Sequence, residues 1–255
     1  MQKDNFLIAG PCVLEDFETT EKIYLFCSEL AKKYNFDFYF KASFDKANRT
    51  SIFSERGVGI EKGVEIFDRL KSKYDCKITT DVHESYQVKI IEDVVDIIQI
   101  PAFLCRQTDL IVTAAKTNKI VNIKKGQFCS TKHIEKAVQK VQQNSNNRVF
   151  CTERGTFFGY NDLVVDFRNI PKMNKFCDAS IIDFTHSCQQ YSDKDTTSGD
   201  NSFAKNIAVS GKVWGCTGFF GEVHPNPQCS PSDKDTILDF EQFKQIIETI
   251  GKITC

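Results

Sequence analysis

Short apolar runs of strand length recur along the whole chain, and most of them are continuous rather than alternating with polar residues. Continuous apolar runs are typical of strands that are covered on both faces, as in a parallel sheet. Gly, Pro, Asp or Asn bounds most of the runs. They lie near residues 6–10, 37–43, 77–81, 96–100, 119–123, 148–152, 179–184 and 218–222.

Segments with helical periodicity fill the intervals between these runs. Residues 15–34, for example, place Ile23, Cys27 and Leu30 on one face, with Glu and Lys on the other. This alternation predicts an α/β fold, namely a (β/α)8 TIM barrel that forms a single domain over residues 1–255. An open doubly wound sheet is disfavoured because the first turn lacks a glycine-rich dinucleotide fingerprint. Further helices are predicted at residues 60–74, 86–94, 108–117, 132–143, 203–214 and 236–251.

Reactive side chains follow the C-terminal ends of the runs, which is the face where barrel enzymes build their active sites. Each cation there would alone be interpreted as a solvated surface residue, but repetition at the same topological position favours a site. So many cations repel one another unless anions lie between them. The pattern therefore predicts an enzyme that binds phosphorylated or carboxylated small molecules. The cations are Lys41, Lys46, Arg49, Arg106, Lys124 and Arg154.

Bulk composition disfavours several other classes of function. The net charge is −1, so binding to nucleic acid or to a membrane surface through bulk charge is not expected. No apolar run approaches the roughly 20 residues of a transmembrane helix. The 11 cysteines are scattered and odd in number, and the short polar start before Phe6 predicts no secretory segment. We therefore expect reduced thiols, several of them buried, in a cytoplasmic protein.

Four potential metal ligands also lie near strand ends. Cys12 follows the first strand and His186 follows the seventh, while Glu222 ends the eighth and Asp233 lies in the loop beyond. These strands are neighbours in a closed barrel, so the four side chains can converge. Thiolate, imidazole and carboxylate suit a borderline divalent ion such as Zn, Fe, Mn or Co. No short ligand spacing supports the site, and the alternative is a buried thiol beside a hydrogen-bonded histidine.

Three further features lie on the same predicted face. Asp81 and His83 follow the third strand and are interpreted as an acid/base pair or as a clamp for a substrate hydroxyl. His224 stands just before a proline and is interpreted as a structural residue. Residues 190–201 are rich in Ser, Asp, Thr and Gly, and this composition predicts a long mobile loop over the active face.

Several segments match one family in order along the chain, including residues 41–51 (KASFDKANRTS), 99–109 (QIPAFLCRQTD), 122–127 (NIKKGQ) and 153–155 (ERG). They resemble the 3-deoxy-D-manno-octulosonate 8-phosphate synthase family, and the resemblance extends from Ile8 to Ile246. Related synthases of aromatic biosynthesis have a Lys-Pro-Arg-Thr segment where this chain has residues 46–50 (KANRT). The inserted Asn48 therefore favours the octulosonate family.

The resemblance implies a homotetrameric (β/α)8 barrel that condenses phosphoenolpyruvate with D-arabinose 5-phosphate and water and releases phosphate. This reaction is a step in lipopolysaccharide sugar biosynthesis. A Cys after Gly-Pro marks the metal-dependent class, so the implied ligands of a divalent metal are Cys12, His186, Glu222 and Asp233. The implied catalytic residues are Lys41, Lys46, Asp81, His83, Lys124 and Arg154. The implied substrate-binding residues are Asn48, Arg49, Thr50, Phe103, Arg106 and Gln189.

Two alternatives stay open because residues 198–203 (SGDNSF) lack the second Gly and the Arg of the family's usual loop. The first is a synthase that uses another phosphorylated aldose. The second is a barrel that binds phosphorylated ligands without turnover, although retention of all four metal ligands argues against it. In each case we expect small phosphorylated molecules as partners, with neither nucleic acid nor membrane.

Overall fold

A computed structural model of the protein describes residues 5–49, 51–158, 162–190 and 198–254. Eight parallel strands dominate it: β1 (Phe6–Gly10), β2 (Asp37–Lys41), β3 (Ile78–Asp81), β4 (Ile97–Ile100), β5 (Ile120–Lys124), β6 (Val149–Glu153), β7 (Ala179–Asp183) and β8 (Gly218–Glu222). They close into a barrel in the order β1-β8-β7-β6-β5-β4-β3-β2. The predicted (β/α)8 barrel is confirmed, and each predicted strand is present.

Helices follow the strands in sequence and pack against the barrel and against one another. They are α1 (Phe17–Lys33), α2 (Ile60–Tyr74), α3 (Ser85–Ile91), α4 (Thr108–Ala115), α5 (Thr131–Gln142), α6 (Asn169–Met173), α7 (Ala204–Val213) and α8 (Phe240–Lys252). The seven predicted helices are confirmed. Only α6 was not predicted, since five residues that include a proline are too short to show helical periodicity.

Side-chain caps and a local strand pairing explain where two helices begin. The Asp16 side chain accepts a hydrogen bond from the Thr19 amide at 2.7 Å, which satisfies a free donor in the first turn of α1. Helix α8 begins at Phe240 rather than at residue 236. The reason is that Leu238 pairs with Val223 in a parallel bridge, and the following Asp239 caps the helix.

An apolar layer fills the N-terminal half of the barrel interior. It contains Phe6, Ile8, Tyr39, Phe150 and Phe220, and the Phe6 and Phe150 rings stack with centroids 4.9 Å apart. A larger apolar core lies between the sheet and the helices. Because apolar side chains fill one end of the barrel, polar side chains collect at the C-terminal ends of the strands, as barrel enzymes require.

Short irregular elements complete the C-terminal side of the barrel. Thr156–Phe157 pairs with Leu163–Val164, and Gln189–Gln190 pairs with Ser198–Gly199, both antiparallel. The second pair brackets the predicted loop, of which residues 191–197 lie outside the described part of the chain. None of the described helices is long and apolar enough to cross a membrane.

The cysteines agree with the expectation of reduced thiols. The ten cysteines that the structure describes are all free, and nine of them are buried. Burial raises the pKa of the Cys188 thiol to about 12, and it raises the pKa of Cys27 as well. The thiols of Cys27 and Cys188 therefore stay protonated at neutral pH and behave as small apolar side chains.

Candidate active site

Six of the eight strands end in a buried polar residue at the C-terminal end of the barrel: Lys41, Asp81, Lys124, Glu153, Asp183 and Glu222. Tight packing of strand β1 helps to place the first of them. At Gly10 an added Cβ would lie 2.0 Å from the carbonyl oxygen of Lys41, so only glycine allows β1 to pass this close to β2.

Three of the predicted metal ligands converge. Ligand atoms of Cys12, Glu222 and Asp233 all lie within 4.8 Å of one another. The Cys12 thiol donates to Asp233 Oδ2 at 3.0 Å, and the Ser232 hydroxyl donates to the same oxygen at 2.7 Å. Asp233 has a left-handed backbone with φ 53°, a conformation that is uncommon for residues other than glycine but that Asp adopts more readily than most.

His186 adjoins this group. Its Nε2 atom lies 3.6 Å from Glu222 Oε2, and its Nδ1 atom lies 2.8 Å from Asp183 Oδ2. An Nδ1–H donated to Asp183 leaves the Nε2 lone pair directed towards the group, which is the usual arrangement of a metal-bound histidine. The structure thus groups three of the four predicted ligands, and His186 lies next to this group, beside Glu222.

The chemistry of these donors fits a divalent ion. Burial, followed by the charges of Asp233 and Glu222, raises the pKa of the Cys12 thiol well above its usual value. A cation at this position would reverse that effect, because a coordinated thiol loses its proton. A thiolate, an imidazole and two carboxylates would satisfy a Zn, Fe, Mn or Co ion.

Two buried lysines lie beside the metal group. Lys41 Nζ is 2.8 Å from Ser43 Oγ, 3.3 Å from Glu222 Oε1 and 3.7 Å from Asp81 Oδ1. Burial alone would lower the pKa of Lys46, but its acidic neighbours, Cys12 first and then Glu222, Asp81 and Asp233, raise it above its usual value. Lys46 therefore stays protonated, with its charge available to a substrate anion.

The second pair of cations, Lys124 and Arg154, follows strands β5 and β6. Lys124 Nζ donates to Asp183 Oδ2 at 2.6 Å and lies 3.9 Å from the centre of the Phe220 ring. Arg154 donates through Nη2 to Gln189 Oε1. Its Nη1 atom is buried and makes no hydrogen bond within the described part of the chain. A buried guanidinium nitrogen without an acceptor is costly, so this atom indicates a place for an anion.

Gln189 links this cation to the metal group, because its Nε2 atom donates to Asp233 Oδ1 at 2.8 Å. Burial lowers the pKa of both Lys124 and Arg154. Nearby carboxylates, above all Asp183, act in the opposite direction. The two cations are therefore balanced by fixed carboxylates when no anion is bound, and this balance limits their mutual repulsion.

Asp81 and His83 are in contact. His83 Nε2 lies 3.1 Å from Asp81 Oδ2, and Ser43 donates to the other carboxylate oxygen. Burial would raise the pKa of Asp81, but Lys41 and His83 outweigh it and hold the pKa well below its usual range. The carboxylate is thus ionised. His83 Nδ1 is buried and makes no hydrogen bond to any described residue, so it can serve a substrate hydroxyl.

The other predicted substrate-binding residues are more peripheral. Asn48, Phe103 and Arg106 are exposed. Arg49 donates to Ser232 Oγ at 2.7 Å and to two backbone carbonyl oxygens. Thr50 lies outside the described residues. Within one chain the structure therefore buries four of the six predicted cations at the barrel end. Arg49 is only partly buried and is linked to the metal group through Ser232, whereas Arg106 is exposed.

The comparison with protein families decides which kind of barrel this is. The model of the DAHP synthetase I family matches residues 2–254, which is almost the whole chain. The chain belongs to the DAHP synthetase I family.

Three curated relatives of this chain share the name 2-dehydro-3-deoxyphosphooctonate aldolase. The protein of Fusobacterium nucleatum subsp. nucleatum is 44% identical over 251 residues, which cover 97% of this chain and 90% of the relative. That of Helicobacter hepaticus is 44% identical over 259 residues, with 97% and 96% covered. That of Helicobacter pylori strain HPAG1 is 44% identical over 261 residues, with 97% and 94% covered. These relatives confirm the resemblance found in the sequence motifs.

Three buried residues that lie in this site or close to it along the chain were missed by sequence reasoning. Asp183 is fully buried and binds both Lys124 and His186, and the rule of a polar residue at a strand end could have found it. The Gln127 side-chain oxygen is buried and has no hydrogen-bond partner among the described residues. Ser43, two residues beyond β2, joins Lys41 to Asp81. No periodic pattern marks Gln127 or Ser43, because both lie in irregular loops.

Proposed function

We propose that this protein condenses phosphoenolpyruvate with D-arabinose 5-phosphate and water, giving 3-deoxy-D-manno-octulosonate 8-phosphate and inorganic phosphate. The observation that carries the proposal is the buried Nη1 atom of Arg154, which has no hydrogen-bond partner among the described residues. Gln189 links this arginine to the metal group, and Lys124 ends the strand that pairs with the one before Arg154. The name of the curated relatives supports the same reaction. Phosphate and carboxylate are the anions that such a guanidinium and ammonium bind.

Phosphoenolpyruvate would lie between the two pairs of cations. Lys124 and Arg154 would bind its phosphate or its carboxylate, and Lys41 and Lys46 would bind the other anion. All four side chains are buried, so their charges act through a medium of low dielectric constant. Prepositioned cations of this kind stabilise the negative charge that accumulates when two anionic substrates react, and such stabilisation often contributes more to catalysis than any other effect.

The reaction forms a carbon–carbon bond at C3 and a carbon–oxygen bond at C2, and it breaks the C2–O bond to the phosphate. C3 of phosphoenolpyruvate attacks the aldehyde carbon of the pentose phosphate, and a proton ends on the resulting hydroxyl. Water adds at C2 and loses one proton. The phosphate then leaves with its bridging oxygen, while the new C2 hydroxyl loses its remaining proton and becomes the carbonyl of the product. Asp81 and His83 would hold the pentose hydroxyls or transfer these protons. The ionised Asp81 can accept a proton or a hydrogen bond, and His83 Nδ1 has no other partner among the described residues.

A divalent ion would be held by Cys12, His186, Glu222 and Asp233. When bound, it would supply Lewis-acid charge that orients the aldehyde oxygen or the water. Lys41 lies between this group and Asp81, with its Nζ atom within 3.7 Å of carboxylates on both sides. This lysine would therefore keep the aldehyde end and the hydroxyl end of the pentose phosphate in fixed relative positions.

Asn48, Arg49, Thr50, Phe103 and Arg106 would bind the phosphate end of the sugar from the rim of the barrel. Because Asn48, Phe103 and Arg106 are exposed in a single chain, we propose that a neighbouring subunit covers them in a homotetramer. We also propose that the protein is cytoplasmic and acts on small phosphorylated molecules. The free thiols of the described cysteines agree with a reducing compartment.

The test is phosphate release from phosphoenolpyruvate, measured with and without D-arabinose 5-phosphate. Protein stripped with a chelator should lose activity and regain it with Mn2+, Zn2+ or Co2+. Cys12→Ser should weaken metal binding, whereas Cys27→Ser, a matched change of a fully buried thiol in α1, should not. If the chelator did not change the activity, the reaction would not depend on a metal ion, and that part of the proposal would be wrong. If phosphate were released only with a different phosphorylated aldose, that aldose would replace D-arabinose 5-phosphate as the proposed substrate.

A further inference from the structure

A buried ion pair lies directly beside the two cations proposed to bind phosphoenolpyruvate. Lys125 and Glu153 are both fully buried, and Nζ of the lysine is 3.3 Å from Oε1 of the glutamate. Lys125 follows Lys124 in the chain, and Glu153 precedes Arg154. The pair thus spans the exits of strands β5 and β6, where Lys124 stands opposite Thr152 in the parallel register.

Glu153 makes contacts that define the turn carrying Arg154. Its Oε1 atom accepts from the backbone amides of Arg154 at 3.0 Å and of Gly155 at 2.8 Å. Its Oε2 atom accepts from Asn169 Nδ2 at 2.8 Å. Gly155 has φ +94°, a conformation that favours glycine, so the chain turns sharply right after the arginine. One carboxylate therefore holds both amides of this turn.

Lys125 crosses from the exit of β5 to the same turn. Its Nζ atom donates to Thr156 Oγ1 at 2.9 Å and to the carbonyl oxygens of Gly155 at 3.4 Å and Gly126 at 3.5 Å. Its backbone amide donates to the Thr152 carbonyl at 2.8 Å. The side chain thus ties the β5 exit, and with it Lys124, to the loop that follows Arg154.

A buried ion pair is weak evidence for stability, because removing two charges from water costs about as much as their attraction returns. Such a pair is better explained by the geometry that it enforces. Lys125 and Glu153 also add no net charge to a site that already holds four cations. They can therefore fix the cations without changing the electrostatic balance on which binding of an anion depends.

We propose that Lys125 and Glu153 are positioning residues that set the distance and orientation between Lys124 and Arg154, and thereby the fit of the phosphoenolpyruvate anion. The inference rests on the proposed function for the identity of that anion. Glu153 acts through the two backbone amides of the Arg154 turn, and Lys125 acts by joining that turn to the β5 exit. A displacement of about 1 Å of a binding group can lower the rate about 100-fold.

The test compares Glu153→Ala and Glu153→Gln with wild type. The glutamine keeps an acceptor oxygen for the two amides but lacks the charge, so it should rescue part of the loss. We expect kcat/KM for phosphoenolpyruvate to fall about 100-fold in Glu153→Ala and about 10-fold in Glu153→Gln, with KM for the pentose phosphate within about twofold of wild type. Calorimetry should show weaker binding of phosphoenolpyruvate in the same order.

Asp96→Asn is the matched control, since Asp96 pairs with Lys71 and accepts the Ile78 amide at the opposite end of the barrel. Asp96→Asn should lower stability without changing KM for phosphoenolpyruvate or KM for the pentose phosphate. A double-mutant cycle adds a second readout. In an Arg154→Ala background, Glu153→Gln should cause no further loss of phosphoenolpyruvate affinity, because the residue it positions is gone.

The outcomes separate this inference from the proposed function. A folded Glu153→Gln variant with wild-type affinity and kcat/KM for phosphoenolpyruvate would overturn the inference, even if Glu153→Ala failed to fold. Equal losses for both substrates would also overturn it, because they indicate a general defect. Wild-type protein that binds phosphoenolpyruvate but releases no phosphate would refute the reaction, while the binding data on the variants would still decide the role of the pair.

Discussion

Asp183→Asn is the substitution that most directly tests the electrostatic design of the site. The Asp183 carboxylate is fully buried, 2.6 Å from Lys124 Nζ and 2.8 Å from His186 Nδ1. At an effective dielectric constant of about 20, a charge pair 2.6 Å apart has a Coulomb energy of about 6 kcal/mol. Desolvation cancels part of this, and removing one charge of a buried pair costs about 3–5 kcal/mol.

The expected stability loss corresponds to a decrease in Tm of about 6–20 °C for a chain of this size. Function should suffer separately. The variant no longer holds the His186 ring by a charged acceptor, so metal affinity should fall about 10- to 100-fold. Lys124 also loses its partner, so kcat/KM for phosphoenolpyruvate should fall about 100-fold or more.

The assays are thermal unfolding in chelator, metal titration by calorimetry, and phosphate release at saturating metal. Asp96→Asn provides the same chemical change at the opposite end of the barrel and should reproduce only a loss of stability. An Asp183→Asn variant with wild-type metal affinity and wild-type kcat/KM would refute the reasoning. It would mean that this carboxylate neither orients the histidine nor holds the lysine.

Three further predictions concern the same site. Arg154→Ala should lower kcat about 100- to 1000-fold with an unchanged circular dichroism spectrum, and near-normal turnover would contradict its role. Gly10→Ala should lower the free energy of unfolding by about 1–3 kcal/mol or more, because the new Cβ would meet the Lys41 carbonyl oxygen. Urea unfolding measures this change, and unchanged stability would contradict the close packing of β1 against β2. Asp183 and Asp81 have folded-state pKa values below their usual range, so their stabilisation is present above about pH 4 and is lost as pH falls towards the folded pKa. Metal-free protein should therefore lose up to about 1.4 kcal/mol per pH unit for each such group between about pH 4 and 2, and a flat profile there would argue against these ion pairs.

The barrel itself was predictable because burial on both faces of a parallel strand leaves a continuous apolar run, and eight such runs stand out. The rule that polar residues at strand ends meet on one face then placed Lys41, Asp81, Lys124, Arg154 and Glu222 together. The other predicted boundaries differ from the observed ones by no more than three residues, and the larger shift at the start of α8 arises because Leu238 pairs with Val223. Helix α6 was missed because five residues contain less than two turns.

The family was determined by the sequence, because long matching segments specify residue identity as well as pattern. Their order also implied which cysteine, histidine and carboxylates could share a metal. The reaction and the roles of individual residues stay proposals until activity is measured. Spacing alone could not support the metal group, since Cys12 and Asp233 are 221 residues apart and meet only when the barrel closes.

Only the tertiary structure decided how the charges are balanced. It pairs Lys124 with Asp183, joins Arg154 through Gln189 to Asp233, and leaves Arg49 and Arg106 outside the buried cluster. It also places Lys125 and Glu153 in an ion pair, which the apolar and polar pattern of the sequence does not predict. The physical reason is that strand pattern reports which positions are buried, whereas the partner of a buried charge depends on which strand ends become neighbours and on how the loops between them turn.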